Sequence, residues 1–404
     1  MATRTIALVV MVLWAVPAAA QDRLFAGTRE IGAFGHFGAD LGPAPAWLGF
    51  PRFGGDRYVH VFGRGVVDLR TDATLPLGEG FPVAYDRARP HVFLLREDGV
   101  WLQDVRTSWS LLVLPGSTAG LTACIHATSA DVLFCALARP DGQHDIVRPG
   151  LFGYQTVATT RFAGTYPVNW VVTPDASRLY LAHCARATGG PPSVCLEADI
   201  AAIDPDTGVT ITAGYFDALS PPGSLVWDEV NDRLFTVGSR IDVFTKDLVP
   251  IGAATTGGRG RSLVVSPHTG RVYLDVSDYY FSSQWATLTA YDAATYRVLE
   301  PGLRRTTATG APLTLLTAPG APRDVRAWVQ GHTVDLNWTN IGGASGFVLD
   351  MGFAPGRTDL SVPLGPAPRA SFANVPPGTY YLRLRGGNEH GGGRPSRELA
   401  VTVR

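Results

Sequence analysis

The residues in this chain whose types and spacing could do chemistry are four cysteines, nine histidines and two stretches rich in arginine or aromatics. Cys124 and Cys135 lie 11 apart, and so do Cys184 and Cys195. The midpoint of the first pair falls on a turn near Ser129-Ala130, and that of the second on Gly189-Gly190, which is turn chemistry. Each pair is thus expected to face itself across a hairpin, close enough for a disulfide. Closing so short a loop stabilises by roughly 3 kcal/mol on the chain-entropy model. A metal site would want CxxC-type spacing with histidine nearby, and His183 alone does not supply it. The histidines at 36, 60, 91, 126, 144, 183, 268, 332 and 390 are dispersed with no pair at ligand spacing, so no metal is expected. Asp204-x-Asp206-x-Gly208 opens like a calcium loop but lacks the acidic twelfth residue, and reads as a structural turn.

Two stretches could hold a ligand. Gly257-Gly258-Arg259-Gly260-Arg261 presents two guanidinium groups, Arg259 and Arg261, suited to carboxylate or phosphate. The segment from Asp278 to Trp285 carries Tyr279, Tyr280, Phe281 and Trp285, suited to stacking on sugar or peptide. The bland readings are a solvated Gly-Arg turn and a loop packed on its neighbour, since aromatics are mostly buried for packing. No G-x-S-x-G, H-E-x-x-H or P-loop appears, nor a G-x-G-x-x-G opening a helix.

A repeat must position these residues. A short strand with a central aromatic recurs at Phe25, Tyr58, Phe93, Phe134, Tyr180, Phe235 and Tyr273. The closest copies, Asp22-Arg23-Leu24-Phe25 and Asp232-Arg233-Leu234-Phe235, are identical. Asp-x-x-Thr ends a later strand at Asp68, Asp104, Asp204 and Asp292, where the carboxylate can accept backbone N–H groups and turn the chain. Each unit is about four short strands in roughly 40 residues, the size of a propeller blade. The run from Val171 to Gly208, an apolar strand, a Pro174-Asp175 turn, Arg178-Leu179-Tyr180 and Ile203-Asp204-Pro205-Asp206-Thr207-Gly208, resembles the YVTN/lactonase-like propellers. That resemblance implies seven blades over residues 21–317. On it, Arg259 and Arg261 would approach the central axis and residues 278–285 would form a long loop beside the channel. The first anchor lacks a preceding strand, and Pro312-Leu313-Thr314-Leu315-Leu316-Thr317 lacks a partner, so the latter is expected to complete the first blade.

Beyond a short linker at residues 318–322, the remaining chain, 323–404, resembles a fibronectin type III domain. Val334-Asp335-Leu336-Asn337-Trp338 alternates as a half-buried strand should. Trp338 is expected in the core, and Tyr380, or else Tyr381, as the family's tyrosine-corner residue. The fold class is all-β, a seven-bladed β-propeller plus a β-sandwich. Composition agrees: Gly (46) and Pro (30) punctuate short β-branched runs, and amphipathic helix patterns are scarce.

The chain opens with Arg4 ahead of an 11-residue apolar run, Ile6 to Val16, then Pro17 and Ala18-Ala19-Ala20. Half the ~20 residues needed to span a bilayer, it reads as a signal peptide over residues 1–20. Export to a periplasm or beyond, without a transmembrane segment, follows, and suits disulfides. Lys246 is the single lysine, a bias that suits a GC-rich bacterial genome. A net charge of −1 without a basic stripe disfavours nucleic acid as a partner. The first functional reading is an exported, monomeric, non-enzymatic binding protein without cofactor, its partner a protein, peptide or carbohydrate, its sandwich a spacer or adhesive arm. The second is a secreted propeller enzyme of lactonase, lyase or quinoprotein type, resting on fold analogy.

Overall fold

The computed structural model describes residues 23–26, 29–31, 37–40, 52–53, 57–61, 65–71, 73–116, 119–150, 153–162, 170–187, 195–217, 224–238, 240–256, 259–277, 285–306, 313–341 and 343–404. The segment read as a signal peptide lies outside them. Among the described residues every regular element is a strand, and no helix is long and apolar enough to cross a membrane.

Among the described residues, seven four-stranded antiparallel sheets come first. Sheet 1 orders Leu313–Leu316, Arg23–Ala26, Arg29–Ile31 and Phe37–Asp40. Sheet 2 runs from Arg52–Phe53 to Ala73–Leu75, and sheet 3 from Phe81–Tyr85 to Ser110–Pro115. Sheets 4 to 7 start at Leu121–Ala127, Trp170–Val172, Ser224–Asp228 and Arg259–Val265. Each of the seven aromatic anchors falls on the second strand of its sheet.

The anticipated aspartate turns are present. Asp204 accepts the N–H groups of Asp206 and Thr207 at 3.0 and 3.1 Å, and Asp292 those of Ala294 and Thr295 at 3.1 and 2.7 Å. The same device closes the turn after the first strand, where Asp86 accepts from Ala88 and Asp228 from Val230. A carboxylate that satisfies these donors reverses the chain without leaving buried N–H groups unpaired.

A four-stranded sheet of this size cannot bury its faces alone. Apolar seams join each sheet to the next. Leu316 of sheet 1 packs with Val59 and Val67 of sheet 2, and Tyr58 with Val92 and Leu94 of sheet 3. Phe93 meets Leu133 of sheet 4, and Phe134 meets Leu179 of sheet 5. Tyr180 stacks on Trp227 of sheet 6, and Phe235 packs with Leu263 of sheet 7. Leu288 of sheet 7 returns to Leu313 and Leu315 of sheet 1. Seven seams close a ring, which is the β-propeller. The late strand Leu313–Leu316 clasps it as expected, with Leu315 opposite Leu24 and Leu316 opposite Arg23.

The last strands form a two-sheet sandwich. One sheet orders Arg323–Gln330, Thr333–Thr339 and Arg369–Phe372; the other orders Leu360–Leu364, Gly346–Gly352, Gly378–Asn388 and Gly391–Pro395, with Leu399–Val403 also on Gly378–Asn388. Trp338 is buried edge-on against Phe347 at 5.0 Å between ring centres. Tyr380, not Tyr381, makes the corner: its hydroxyl donates to the Pro376 carbonyl at 2.8 Å.

Cys124 and Cys135 face each other in register and form a disulfide within sheet 4. In the second hairpin the backbone register places Cys195 opposite Ala187 and Cys184 opposite Ala198, so the midpoint argument does not reproduce direct opposition there. Bulges at Cys184/Arg186 and Arg186/Ala187 take up the offset, and the two side chains lie outside those described.

Candidate functional site

The first strands of sheets 3 to 7 ring a channel of about 560 Å³. Val83, Ile125, Val171, Val226, Trp227 and Val264 contribute to its wall. β-Branched residues dominate because these strands are edges of their own sheets yet packed on neighbours at both sides, where branched side chains fit the pleat.

One end of the channel carries the turns that follow these first strands, and the sandwich sits on it. Asn340 folds the connection between Thr333–Thr339 and Gly346–Gly352, accepting from the Ala344 amide and donating to the Ala344 carbonyl, both at 3.2 Å. Asn340 and Gly343 border the channel. Gly343 has φ +72°, and a Cβ there would stand 3.0 Å from Arg87 Cγ and 3.2 Å from the Arg87 carbonyl, so only glycine fits without displacement. Arg87 in turn donates to Glu229 at 2.8 Å across the channel end.

Further contacts hold the sandwich there. Arg323 donates to the Glu229 carbonyl at 2.9 Å and pairs with Asp232. Asn388 donates to the Thr317 carbonyl at 2.8 Å, and Gly320 to the Ile341 carbonyl at 3.1 Å. Glu389 lies 3.8 Å from Arg57 and 4.0 Å from Arg70. The segment read as a linker is packed between the two parts: Ala318, Pro319 and Gly320 are buried. A free arm would leave these groups in water, so the spacer reading gives way to a seated one.

A charged cluster joins sheets 3 and 4 at the same end. Asp86 is fully buried and pairs with Arg89, which also clamps the exposed Asp131. His126 Nε2 lies 3.1 Å from Asp131, and its Nδ1 lies 3.9 Å from Asp86. The hydrogen bond from His126, with Arg89 adding to it against the opposing effect of burial, holds the Asp131 carboxyl well below the usual carboxylate range. His91 stands 3.8 Å from Asp86 and 3.9 Å from Asp104, and burial pushes its pKa down. Nearby, Tyr85 and His60 share a 2.7 Å hydrogen bond between sheets 3 and 2, and burial lowers His60 while raising Tyr85.

Of the residues singled out from sequence, Arg259 and Arg261 lie on the first strand of sheet 7, and Trp285 opens its third. Arg259, Ser277 and Ala286 occupy one cross-strand row, so Arg259 and Trp285 share one end of that sheet. The side chains of Arg259, Arg261 and Trp285, and all of Tyr279 and Tyr280, lie outside the described residues. The Asp86, His126 and Asp131 grouping was not visible in sequence, because its members come from adjacent blades: Asp86 and Asp131 from turns and His126 from the strand Leu121–Ala127. The turn aspartates themselves were the available signal.

No protein-family model matches the chain, and no curated protein matches it. Among solved structures it is similar to the dihydro-heme d1 dehydrogenase NirN, at 14% identity over 88% of this chain and 75% of that one, TM-score 0.41. It is similar to the Swd1 β-propeller domain of Myceliophteria thermophila at 10% identity, over 72% of this chain and 92% of that one, TM-score 0.39. An Fn3-like protein from Clostridium thermocellum matches at 18% identity over 22% of this chain and 95% of that one, TM-score 0.20.

Proposed function

We propose that this chain is an exported binding protein whose ligand site is the propeller channel, made blind at one end by the sandwich. On this reading the ring is of the YVTN/lactonase-like type over residues 21–317, the sandwich over 323–404 is a fibronectin type III domain, and Cys184 and Cys195 form a second disulfide. One observation carries the binding role: an apolar-walled space of about 560 Å³ is bordered by the polar and charged groups of Arg87, Glu229 and Asn340, with Gly343 beside them. A concave apolar site with a few polar groups at its base suits a small ligand with an apolar body, or an apolar side chain of a peptide.

The test uses 8-anilinonaphthalene-1-sulfonate as an apolar probe and Trp227 in the wall as reporter. Saturable one-to-one binding with energy transfer from Trp227 is expected, weakened by about tenfold or more in Thr128→Trp, which places a bulky ring at the channel's base. Non-saturable binding, or affinity unchanged in Thr128→Trp, contradicts the reading. The enzyme reading draws its support from the carboxylates and histidines gathered at the seated end.

A further inference from the structure

We propose that the outward face of the sandwich's three-stranded sheet binds an acidic polysaccharide, one whose sugars carry carboxylates. Alternation decides what this face holds. In Arg323–Gln330, Thr333–Thr339 and Arg369–Phe372 the residues Val325, Ala327, Val334, Leu336, Ala370 and Phe372 pack in the core, so their neighbours point to water. Register sorts those neighbours into two rows. Arg326, Asn337 and Arg369 are direct cross-strand partners, and so are Trp328, Asp335 and Ser371.

The first row suits an anion. All three of its side chains are exposed, and neither guanidinium has an ion pair or hydrogen bond among the described residues. The two arginines flank Asn337 at two inter-strand spacings, about 10 Å between backbones, which lets both long side chains close on one carboxylate over the Asn337 amide. Like charges in one row repel, and an anion between them relieves that. Asp324, near Arg326 in sequence, is taken up by the Thr339 hydroxyl at 3.3 Å. The sandwich as a whole has the matching sign: residues 323–404 hold nine arginines and six Asp or Glu, whereas the full chain has a net charge of −1.

The second row supplies what a sugar needs and a simple anion does not. Trp328 is 47% exposed, and its ring offers an apolar plane on which the C–H face of a sugar ring can stack. Asp335 and Ser371 beside it can accept the sugar's hydroxyls. The other five residues of the two rows are polar, so a protein partner would find one ring to bury and no apolar patch around it. None of the six borders the channel, so this face stands apart from the channel and its ligand.

The experiment runs the full chain by native affinity electrophoresis in gels cast with polygalacturonate, with pullulan as the neutral comparison and mobility normalised to gels without polysaccharide. Retardation by polygalacturonate alone, weakened by salt, is expected. Arg326→Ser with Arg369→Ser, and separately Trp328→Ser, should each weaken binding about tenfold. Arg394→Ser with Arg397→Ser removes the same charge from exposed positions elsewhere on the sandwich and should change binding by less than about twofold. Every substituted side chain is exposed, so the fold is kept, and thermal melting of each variant checks this. Absence of retardation in the wild-type chain overturns the proposal, as does equal retardation by pullulan. Equal weakening by the two double variants overturns it too, because the net charge of the sandwich is then what binds. So does unchanged binding in Trp328→Ser, because no sugar ring is then being read.

Discussion

The propeller and the sandwich bury their apolar residues in different ways. The sandwich has one core, Trp338, Phe347, Leu349, Tyr380, Leu384 and their neighbours, enclosed between two sheets of contiguous chain. Among the described residues, the propeller's apolar side chains gather in seven seams, each shared by neighbouring sheets. A defect in the sandwich therefore stays within it, whereas the ring depends on a clasp contributed from the far end of its own sequence. Leu315 serves the seam to sheet 7 and the adjacent Leu316 the seam to sheet 2, so one short strand completes two seams at once.

The sharpest way to break this comparison is to damage both regions equally. Leu315 is fully buried, and Leu315→Asp puts an unpaired carboxylate into the last seam. A loss above roughly 4–5 kcal/mol is expected, with failure of the whole ring, read as loss of the folded population in urea melts. Trp338→Ala removes the sandwich's central ring at a cost of about 3–5 kcal/mol, leaving the propeller's near-ultraviolet dichroism in place. If Trp338→Ala collapses the ring as fully as Leu315→Asp, the two regions are one cooperative core.

Smaller effects sharpen it. Cys124→Ala with Cys135→Ala opens the clip inside blade 4 and should cost about 3 kcal/mol, seen as a lower denaturation midpoint of the propeller transition alone. Tyr380→Phe leaves the Pro376 carbonyl without its donor and should cost about 1 kcal/mol in the sandwich transition alone.

The mildest effect expected is a pH dependence confined to the propeller. Burial lowers the pKa of His60 and His144 from 6.5, so the folded ring disfavours their charged forms. Their contribution is intact above pH 6.5, where both states hold neutral rings, and is lost as the pH falls from there toward the folded values, because the unfolded chain takes up protons first. His60→Phe should flatten the melting temperature of the propeller transition between pH 6.5 and 5, and the sandwich transition should not move over this range on their account.

Much of the fold was legible because its signals are local. The aromatic anchors, the Asp-x-x-Thr turns and the alternation ending in Trp338 are read from a few consecutive residues, and each landed on the strand or turn it implied. Even the clasp was legible, since Leu313–Leu316 had no other partner. The second cysteine hairpin shows where this fails: bulges shift a register without changing composition. The seat of the sandwich failed for another reason. Arg57 reaches Glu389, Arg87 reaches Glu229 and Arg323 reaches Asp232 through single long side chains separated by tens to hundreds of residues. Such pairs leave no periodic trace. The same holds for His126 beside Asp86, brought together only when blades 3 and 4 pack.

The claim on which the functional account rests is that the sandwich is seated on the channel end and does not swing from it. Nitroxide labels at Thr156→Cys on the rim of blade 4 and Ala367→Cys on the sandwich, both exposed, allow a direct distance measurement by pulsed electron resonance. One narrow distribution, broadened when Gly343→Trp forces the loop away from Arg87, is the predicted result. A broad distribution in the otherwise unaltered chain, unchanged by Gly343→Trp, would contradict it.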